Sequence, residues 1–239
     1  MGLITNDTHE GGAIFLSVRT STDAKGRKRA VLAQRCKEDT LGAKQSFKAD
    51  GSPALTKDGD TCWRLEYDAI EGFITRLEKH DADFGDGKKQ SYLHIYIKDG
   101  PDRFVLSLDR GDRYWSDFLL RLPLLAPQTL TKFQPYSISD DDGKTNQGIS
   151  MRQYGKKIER RWNATTGYEG GPPPATFDED EQAWKWGKRN KWMEDNILDP
   201  IAKEYDEPHP LEGQPQPVGD QPEPEGEQPP PHDEDDLPF

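Results

Sequence analysis

The segment Tyr92-Leu93-His94-Ile95-Tyr96-Ile97-Lys98 alternates between apolar and polar residues. A period of two is the pattern of a half-buried β-strand, because successive side chains of a strand point to opposite faces of the sheet. We therefore expect the leucine and both isoleucines to face a protein core. The two tyrosines, the histidine and the lysine then lie together on the outer face.

The sequence on either side of this segment predicts a mainly β body. Strand-like runs occur at residues 13–19, 30–33, 62–78, 91–98, 103–108, 132–139 and 148–158. The first two runs flank a basic turn and predict an N-terminal β-hairpin, whereas residues 43–60 are rich in Gly, Ser, Lys and Asp and predict a loop. Gly72 lies in the middle of the longest run, where a glycine indicates a bulge or a sharp bend.

One internal helix is predicted among the strands. Asp112 is a suitable N-cap, apolar residues recur at i, i+3, i+4 and i+7 from Trp115, and Pro123 ends the pattern. A long bent strand, two strands, a helix and two final strands are the element order of an OB fold, a five-stranded Greek-key barrel. We expect this barrel to occupy about residues 61–162, with the N-terminal β-hairpin as an extension and a C-terminal helix over residues 179–202.

The charged residues divide the chain into a body and a tail. Residues 204–239 hold twelve of the 44 acidic residues and ten of the 19 prolines, with no Lys or Arg. Residues 1–203 therefore carry 32 residues of each sign, and the net charge of -12 belongs to the tail. Such a tail buries too little apolar surface to offset its conformational entropy, so we expect residues 204–239 to be disordered and residues 1–203 to form one folded body.

The outer face of the 92–98 segment predicts a surface that binds unpaired bases. Tyr92, His94 and Tyr96 form a row of rings that ends at Lys98. Aromatic stacking contributes ~1–3 kcal/mol per base and does not depend on which base is stacked. The face of strands 2 and 3 is also the usual ligand surface of an OB fold. The alternative is an ordinary half-exposed strand, in which tyrosines are common.

Basic residues near this face are candidates for contacts with phosphates. Five of the eleven residues 152–162 are basic and two are aromatic, which favours a groove lining over a solvated charged surface. The predicted DNA-binding residues outside the 92–98 segment are Lys88, Lys89, Arg103, Arg152, Tyr154, Lys156, Lys157, Arg160, Arg161 and Trp162.

The other tryptophans divide by their sequence context. Trp63 and Trp115 lie on apolar faces and are predicted to be core residues. Trp184, Trp186 and Trp192 stand among lysines and an arginine. These three either pack the last helix onto the barrel or contribute to nucleic-acid binding.

The last seven residues are Asp233-Glu234-Asp235-Asp236-Leu237-Pro238-Phe239. Phe239 presents a ring and the α-carboxylate on one residue, which suits a pocket with an apolar floor and a basic rim. The acidic residues before it steer the tip toward basic surfaces.

An acidic run, an aliphatic residue, a proline and a terminal phenylalanine closely resemble the C-terminal tip of bacterial single-stranded DNA-binding proteins. The wider layout is similar to the members of that family encoded by some bacteriophages.

This resemblance implies an OB fold, binding of single-stranded DNA with little sequence preference, and recruitment of replication, recombination and repair proteins. It assigns partner docking to the tip, residues Asp233, Glu234, Asp235, Asp236, Leu237, Pro238 and Phe239. The resemblance covers the last 36 residues only. The body is larger than the bacterial OB domain and matches it at no residue, so the family's DNA contacts and tetrameric assembly do not carry over.

Few residues in the chain indicate a disulfide, a metal site or a membrane segment. Cys36 and Cys62 lack the spacing of a disulfide framework and are expected to be reduced thiols. A zinc site that joins them to His80 and His94 is the less favoured alternative, so we expect no metal and no cofactor. No segment approaches the ~18 consecutive apolar residues of a membrane span, and no apolar signal region is present. A cytoplasmic protein without a membrane partner is expected, in the host cytoplasm if the chain is phage-encoded.

Two other functions remain open. Glu66, Asp68 and Glu71 could bind Mg²⁺ in a nuclease, but no Lys or His is arranged with them, so we predict that the chain is not an enzyme. Alternatively, the chain is an acidic DNA mimic or adaptor that binds a DNA-processing enzyme, and its body binds no DNA. Single-stranded RNA as the main ligand is a variant of the first interpretation.

The length of the tail predicts competition with DNA. A flexible segment of 36 residues spans ~30–36 Å, compared with a radius of gyration of ~16 Å for a body of about 200 residues. We hypothesise that the tail competes with DNA for the basic groove. This competition lowers the affinity for single strands and suppresses the weaker binding of duplex DNA.

Deletion of residues 220–239 is expected to raise the affinity for both single-stranded and duplex DNA, because the deleted segment carries eight acidic residues. A mobility shift at low salt measures both affinities. Affinities equal to those of the full chain would reject the competition hypothesis.

Overall fold

The structure is a computed structural model that describes residues 12–22, 28–48, 52–56, 59–83, 89–139, 145–163, 169–179 and 181–206. The tip of the N-terminal hairpin, the predicted DNA contact Lys88 and the predicted docking tip at residues 233–239 lie outside these residues. The predicted tail starts at residue 204, but the last helix continues to Asp206 and its Tyr205 is buried. Residues 207–239 lie outside the described part of the chain.

The described residues form a mainly β protein, as predicted. The strands are β1 (Ile14–Thr22), β2 (Lys28–Cys36), β3 (Lys44–Gln45), β4 (Trp63–Tyr67), β5 (Ile70–Asp83), β6 (Lys89–Asp99), β7 (Asp102–Asp109), β8 (Thr131–Ser139), β9 (Thr145–Gln153), β10 (Lys156–Lys157), β11 (Thr176–Asp178) and β12 (Ala183–Lys185). The helices are α1 (Arg113–Arg121), α2 (Gly187–Met193) and α3 (Asp199–Asp206). A 3-10 turn at Leu122–Leu124 follows α1, and a π turn at Glu194–Leu198 joins α2 to α3.

Ten of these strands form one sheet in the order β10-β9-β8-β5-β6-β7-β1-β2-β4-β3. The paired neighbours are antiparallel except β1 and β7, which run parallel. The sheet curls around a common interior, because β2 also packs against β8 from the other end of the strand order. The predicted N-terminal hairpin of β1 and β2 is confirmed. It is part of the sheet, however, and not an extension of it, because β1 pairs along the edge of β7.

β5 joins two parts of the sheet. Residues 70–72 pair with β8, whereas the residues from Phe73 onward pair with β6. A Cβ at Gly72 would lie 2.6 Å from Cγ2 of Ile97 and 2.7 Å from the carbonyl oxygen of Lys98. Only glycine allows the two strands to approach so closely. The close approach at Gly72 fits the predicted bend, whereas the register irregularity of β5 lies further along, between Ile74 and Arg76.

Two of the predicted strands are each divided in the structure. The run 62–78 forms β4 and the first part of β5, which separate at Asp68 and Ala69 because they pair with different neighbours. The run 148–158 forms β9 and β10, joined by Tyr154 and Gly155 with φ of 52° and 74°. Two successive residues with positive φ are typical of a tight hairpin turn. A single strand in each region was a wrong prediction, because neither Asp-Ala nor Tyr-Gly is a strong turn signal.

The predicted helix over residues 179–202 is wrong at its N-terminal end. β11 and β12 form a separate two-stranded hairpin, in which the rings of Phe177 and Trp184 meet at 5.3 Å between centroids. Helix α2 begins only at Gly187. Tryptophans pack in strands as well as in helices, so their spacing did not distinguish the two structures. Among the described residues, no helix is both long enough and apolar enough to cross a membrane.

The core contains the faces that the alternation predicted. Leu93, Ile95 and Ile97 are buried, and Trp115 on α1 is buried as well, whereas Trp63 is only partly buried. The other largest fully buried side chains are Leu16, Leu32, Leu106, Leu108, Phe118, Leu119, Leu122 and Phe133. The predicted N-cap of α1 is confirmed, since the backbone N–H of Trp115 donates to the carboxylate of Asp112 at 2.6 Å.

Replacement of Gly72 by alanine is expected to lower the free energy of unfolding by about 1–3 kcal/mol, because the new methyl group overlaps β6. Urea unfolding measures the loss. Gly187→Ala is the matched control, since a Cβ at Gly187 meets no atom within 4 Å. A G72A variant as stable as the wild type would contradict the close approach of β5 and β6.

Candidate nucleic-acid interface

Five aromatic side chains lie together on the side of the sheet opposite the core. They come from β1, β5 and β6, and we call them the aromatic face: Phe15, His80, Tyr92, His94 and Tyr96. The strand register aligns them, because His80 opposes Tyr92, and Tyr96 is aligned with Phe15 through Val105 on β7. The predicted residues Tyr92, His94 and Tyr96 therefore share one outer face.

His94 lies at the centre of the aromatic face. Its ring stacks on that of His80, with centroids 4.7 Å apart and planes 16° apart. The rings of Phe15 and Tyr96 are nearly perpendicular to it, with centroids at 6.1 and 6.5 Å, and Tyr92 lies at 6.4 Å. His94 is consequently only 8% exposed, which differs from the open ring that the alternation predicted. Burial, and secondarily His80, lower the pKa of His94, so its ring is neutral at pH 7.

Tyr96 is oriented by two charged residues of β5. The guanidinium of Arg76 lies 5.1 Å from the centroid of the Tyr96 ring, as in a cation–π contact. The hydroxyl of Tyr96 donates to Glu78 at 2.8 Å, and Arg76 is ion-paired with Glu78 at 2.8 Å. Burial and the bond to Glu78 raise the pKa of Tyr96. The phenol of Tyr96 therefore stays uncharged, and Arg76 covers one face of its ring.

Two cations lie at one end of the aromatic face. Lys98 opposes Arg103 on β7 and Phe73 on β5, and all three side chains are exposed. Within the described residues, neither Lys98 nor Arg103 has an ion-pair partner. Like charges that oppose each other directly across strands are unfavourable, so this pair is suited to binding an anion. The structure thus brings together the predicted Lys98 and Arg103.

A second basic surface lies across β8, β9 and β10, and we call it the β8–β9 groove. The register places Lys132, Arg152 and Lys157 side by side on three adjacent strands. The side chain of Tyr154, which is 84% exposed, extends from the turn between β9 and β10. The groove has a volume of about 490 Å³, and its lining residues are Glu71, Leu130, Lys132, Arg152, Tyr154 and Gly155. Of the predicted DNA contacts, Arg152 and Tyr154 line it, and the exposed Lys156 and Lys157 lie on the adjoining β10.

Arg160, another predicted DNA contact, is held in a buried polar network. Its guanidinium pairs with Asp117 of α1 and donates to the hydroxyl of Tyr136 at 3.2 Å. Asp117 is 2% exposed, and it also pairs with Arg121 at 3.3 Å and accepts from the backbone N–H of Ile149 at 2.8 Å. Burial opposes the charge of Arg160, but Asp117 outweighs it, so the pKa of Arg160 is raised. Arg160 therefore connects α1 to β8, and Asp117 connects α1 to β9.

Arg161 and Trp162, predicted as DNA contacts, lie where the large sheet meets the C-terminal helices. The guanidinium of Arg161 lies 5.0 Å from the centroid of the Trp162 ring. The Trp162 ring also meets Trp192 of α2 at 5.7 Å, edge to face, and packs against the core. A Cβ at Gly171 would lie 2.5 Å from Trp162, so the chain passes directly over the indole. Trp192 therefore packs the last helices onto the body, which was one of its two predicted roles.

The structure also separates Lys89 from the aromatic face and brings other residues to it. Lys89 opposes Asp83 at the far end of β6 and is not on the same face as Tyr92. Phe15, Phe73 and His80 are additions that the sequence did not identify. The alternation of residues 76, 78 and 80 could have identified the outer face of β5. No feature of the local sequence indicates that β1 pairs with β7.

The described residues show no arrangement that fits the alternative metal site or the alternative nuclease site. No group of three or more His, Cys, Asp or Glu side chains there is arranged to hold a metal ion. Glu66 is ion-paired with Lys44 and Arg64, and Asp68 is ion-paired with Arg29. Both cysteines are free thiols.

Comparisons of the chain with protein-family models, with curated proteins and with solved structures found no match. Its function is therefore inferred from the residues of the aromatic face and of the β8–β9 groove.

The neutral state of His94 is expected to make stability depend on pH. The unfolded chain binds a proton at this residue near pH 6.5, whereas the folded chain, with its lowered pKa, does not. The stabilisation is complete above that pH and is lost progressively as the pH falls below it. Between about pH 7.5 and about pH 5.5, the wild type should lose more free energy of unfolding than H94Q, as measured by urea unfolding.

His80→Gln is the control for this experiment. It removes the exposed neighbour but leaves the burial of His94, which is the larger cause of the lowered pKa. H80Q should therefore retain much of the pH dependence. Equal pH profiles for the wild type and H94Q would show that His94 is not a buried neutral residue.

Proposed function

We propose that this chain binds single-stranded DNA without sequence preference and is not an enzyme. The observation that carries the proposal is the aromatic face, in which half-exposed rings lie beside cations that have no ion-pair partner among the described residues. Rings supply affinity for any base, and cations supply affinity for the phosphates between the bases. A surface with both features on one sheet is suited to an unpaired strand.

The proposal includes an OB arrangement of the central strands. β5, β6, β7, α1, β8 and β9 follow each other along the chain in the order expected for that barrel. The change of pairing at Gly72, where β5 passes from β8 to β6, supports this assignment. The aromatic face then lies on the first and second strands of the barrel and on β1, and the pair Lys98 and Arg103 lies on the second and third strands, the usual ligand surface of the fold. One departure is that the free edge of β7 pairs with β1.

Bases would stack on the rings that remain accessible. Tyr92 and Tyr96 are half-buried and Phe73 is exposed, whereas His94 lies beneath them as support. Burial raises the pKa of both tyrosines, so the phenols stay neutral and stack without repelling phosphates. Arg76 holds one side of the Tyr96 ring, which limits its motion before a base arrives.

The same geometry favours single strands over duplexes. In a duplex, each base is paired and is covered by its neighbours, so the rings of a sheet reach no free base face. A duplex would then contact only the cations and bind by charge alone, with weaker, salt-sensitive affinity. The β8–β9 groove supplies further cations for the phosphates of either ligand, at Lys132, Arg152 and Lys157.

The tail completes the proposed function. From its resemblance to the tips of single-stranded DNA-binding proteins, we propose that residues 233–239 recruit replication, recombination and repair proteins. The tail also competes with DNA for the cations of the body. A protein that covers single strands and carries such a tip brings processing enzymes to the DNA it protects.

Replacement of both Tyr92 and Tyr96 by alanine is expected to weaken binding of oligo(dT) by about 5- to 150-fold per stacked base, which corresponds to ~1–3 kcal/mol. The slope of log affinity against log salt should stay the same, because no phosphate contact is removed. Fluorescence anisotropy across a salt series measures both quantities. The double variant Y92F/Y96F is the matched control, since it keeps the rings and should keep the affinity.

Three outcomes would change the proposal. Full affinity of Y92A/Y96A would exclude stacking on this face. A body without the tail that fails to bind oligo(dT) even at low salt would favour the adaptor or DNA-mimic function. Stronger binding of oligo(U) than of oligo(dT) would identify RNA as the main ligand.

A further inference from the structure

Three cations oppose each other across β2, β4 and β3, and we call them the basic row: Arg35, Arg64 and Lys44. Arg35 is the register partner of Arg64, which is also the partner of Lys44. Successive register partners link His94 through β7 and β1 to Ala33 on β2, two residues before Arg35. Residues two apart in a strand share a face, so the basic row and the aromatic face lie on the same side of the sheet. The N-terminal hairpin and β4 thus extend the outer face beyond the central strands.

The basic row carries more positive charge than its surroundings neutralise. Glu66, whose side chain is 3% exposed, pairs with Lys44 at 2.7 Å and with Arg64 at 2.9 Å. Among the described residues, Arg35 has no ion-pair partner. One carboxylate therefore pairs with two of three cations at adjacent positions. Because directly opposed like charges are unfavourable, an added anion would be stabilised here.

Hydrogen bonds fix the row on the sheet before any ligand binds. The hydroxyl of Ser21 on β1 donates to Glu66 at 2.8 Å, and Arg64 donates to the carbonyl of Thr20 at 3.4 Å. Both contacts pass over β2, which lies between β1 and β4 and presents small residues there. Burial would raise the pKa of Glu66, but the bonds from Lys44 and Ser21 outweigh it and the pKa is lowered. Glu66 stays ionised and holds its cations in place.

We propose that the basic row binds phosphates of the same DNA strand whose bases stack on the aromatic face. This proposal rests on the proposed function and extends its site across the sheet. Arg35 and Lys44 make the contacts, while Arg64 and Glu66 position them. The exposed Arg19 on β1 lies on the same face between the two surfaces, so cations are present along the whole path.

The dimensions of the sheet fit such a path. Adjacent strands are ~4.8 Å apart, so β2 and β3 lie about 14 and 24 Å from β6 along the sheet. A single OB domain occupies about 4–16 nucleotides of a strand. A short oligonucleotide would therefore cover only the aromatic face, whereas a longer one would also reach the basic row.

The test is the double variant Arg35→Gln and Lys44→Gln in the full chain. With oligo(dT) of about 16 nucleotides, the slope of log affinity against log salt should become shallower by about 1.4, because two phosphate contacts are lost at about 0.7 each. With oligo(dT) of about four nucleotides, affinity and slope should equal those of the wild type. The matched control is Lys188→Gln with Lys203→Gln, which removes the same charge from exposed positions on α2 and α3.

The outcomes separate this proposal from the proposed function. An unchanged slope on the long oligonucleotide would overturn the basic row while binding by the aromatic face stands. An equal change in the control variant would also overturn it, because the effect would then be one of net charge. No binding by the wild type at either length would overturn the proposed function itself. Should R35Q/K44Q fail to fold, K44Q alone tests the row with half the expected change, since Lys44 is exposed on a two-residue strand.

Discussion

The close approach of β5 to β6 at Gly72 is the constraint on which the rest of the structure depends. No side chain intervenes there, and β5 pairs with β8 as far as Gly72 and with β6 from Phe73 onward. The two halves of the strand then serve different surfaces. Glu71 lines the β8–β9 groove, whereas Arg76 and His80 belong to the region of the aromatic face.

Burial decides which of the charged and aromatic residues remain available for a ligand. Asp117 draws Arg121 and Arg160 into a network beneath α1, so the basic run 152–162 splits into an exposed part near the groove and a structural part. His94 is likewise a supporting residue and not an accessible ring, because the rings around it shield it from solvent. The accessible surface is consequently smaller than the sequence pattern implies, but its rings and cations are held in fixed positions.

Local patterns predicted much of the fold. The alternation in residues 92–98 identified the core face and the outer face of β6, and the capping pattern at Asp112 identified α1, because both depend only on neighbours in the chain. The predicted helix from residue 179 was wrong at its N-terminal end, since the spacing of the tryptophans does not distinguish a hairpin from a helix. The turns at residues 68–69 and 154–155 were missed because neither Asp-Ala nor Tyr-Gly is one of the strong turn dipeptides.

The sequence by itself determined the mainly β class, the faces of the central strands, the position of the first helix and the separation of an acidic tail from a charge-balanced body. Only the tertiary structure decided which strands became neighbours. The parallel pairing of β1 with β7 brings Phe15 to His94 and places the basic row on the same side as Tyr96. Periodicity along a chain specifies where each side chain points, but contacts between distant strands depend on how all the strands pack around one core.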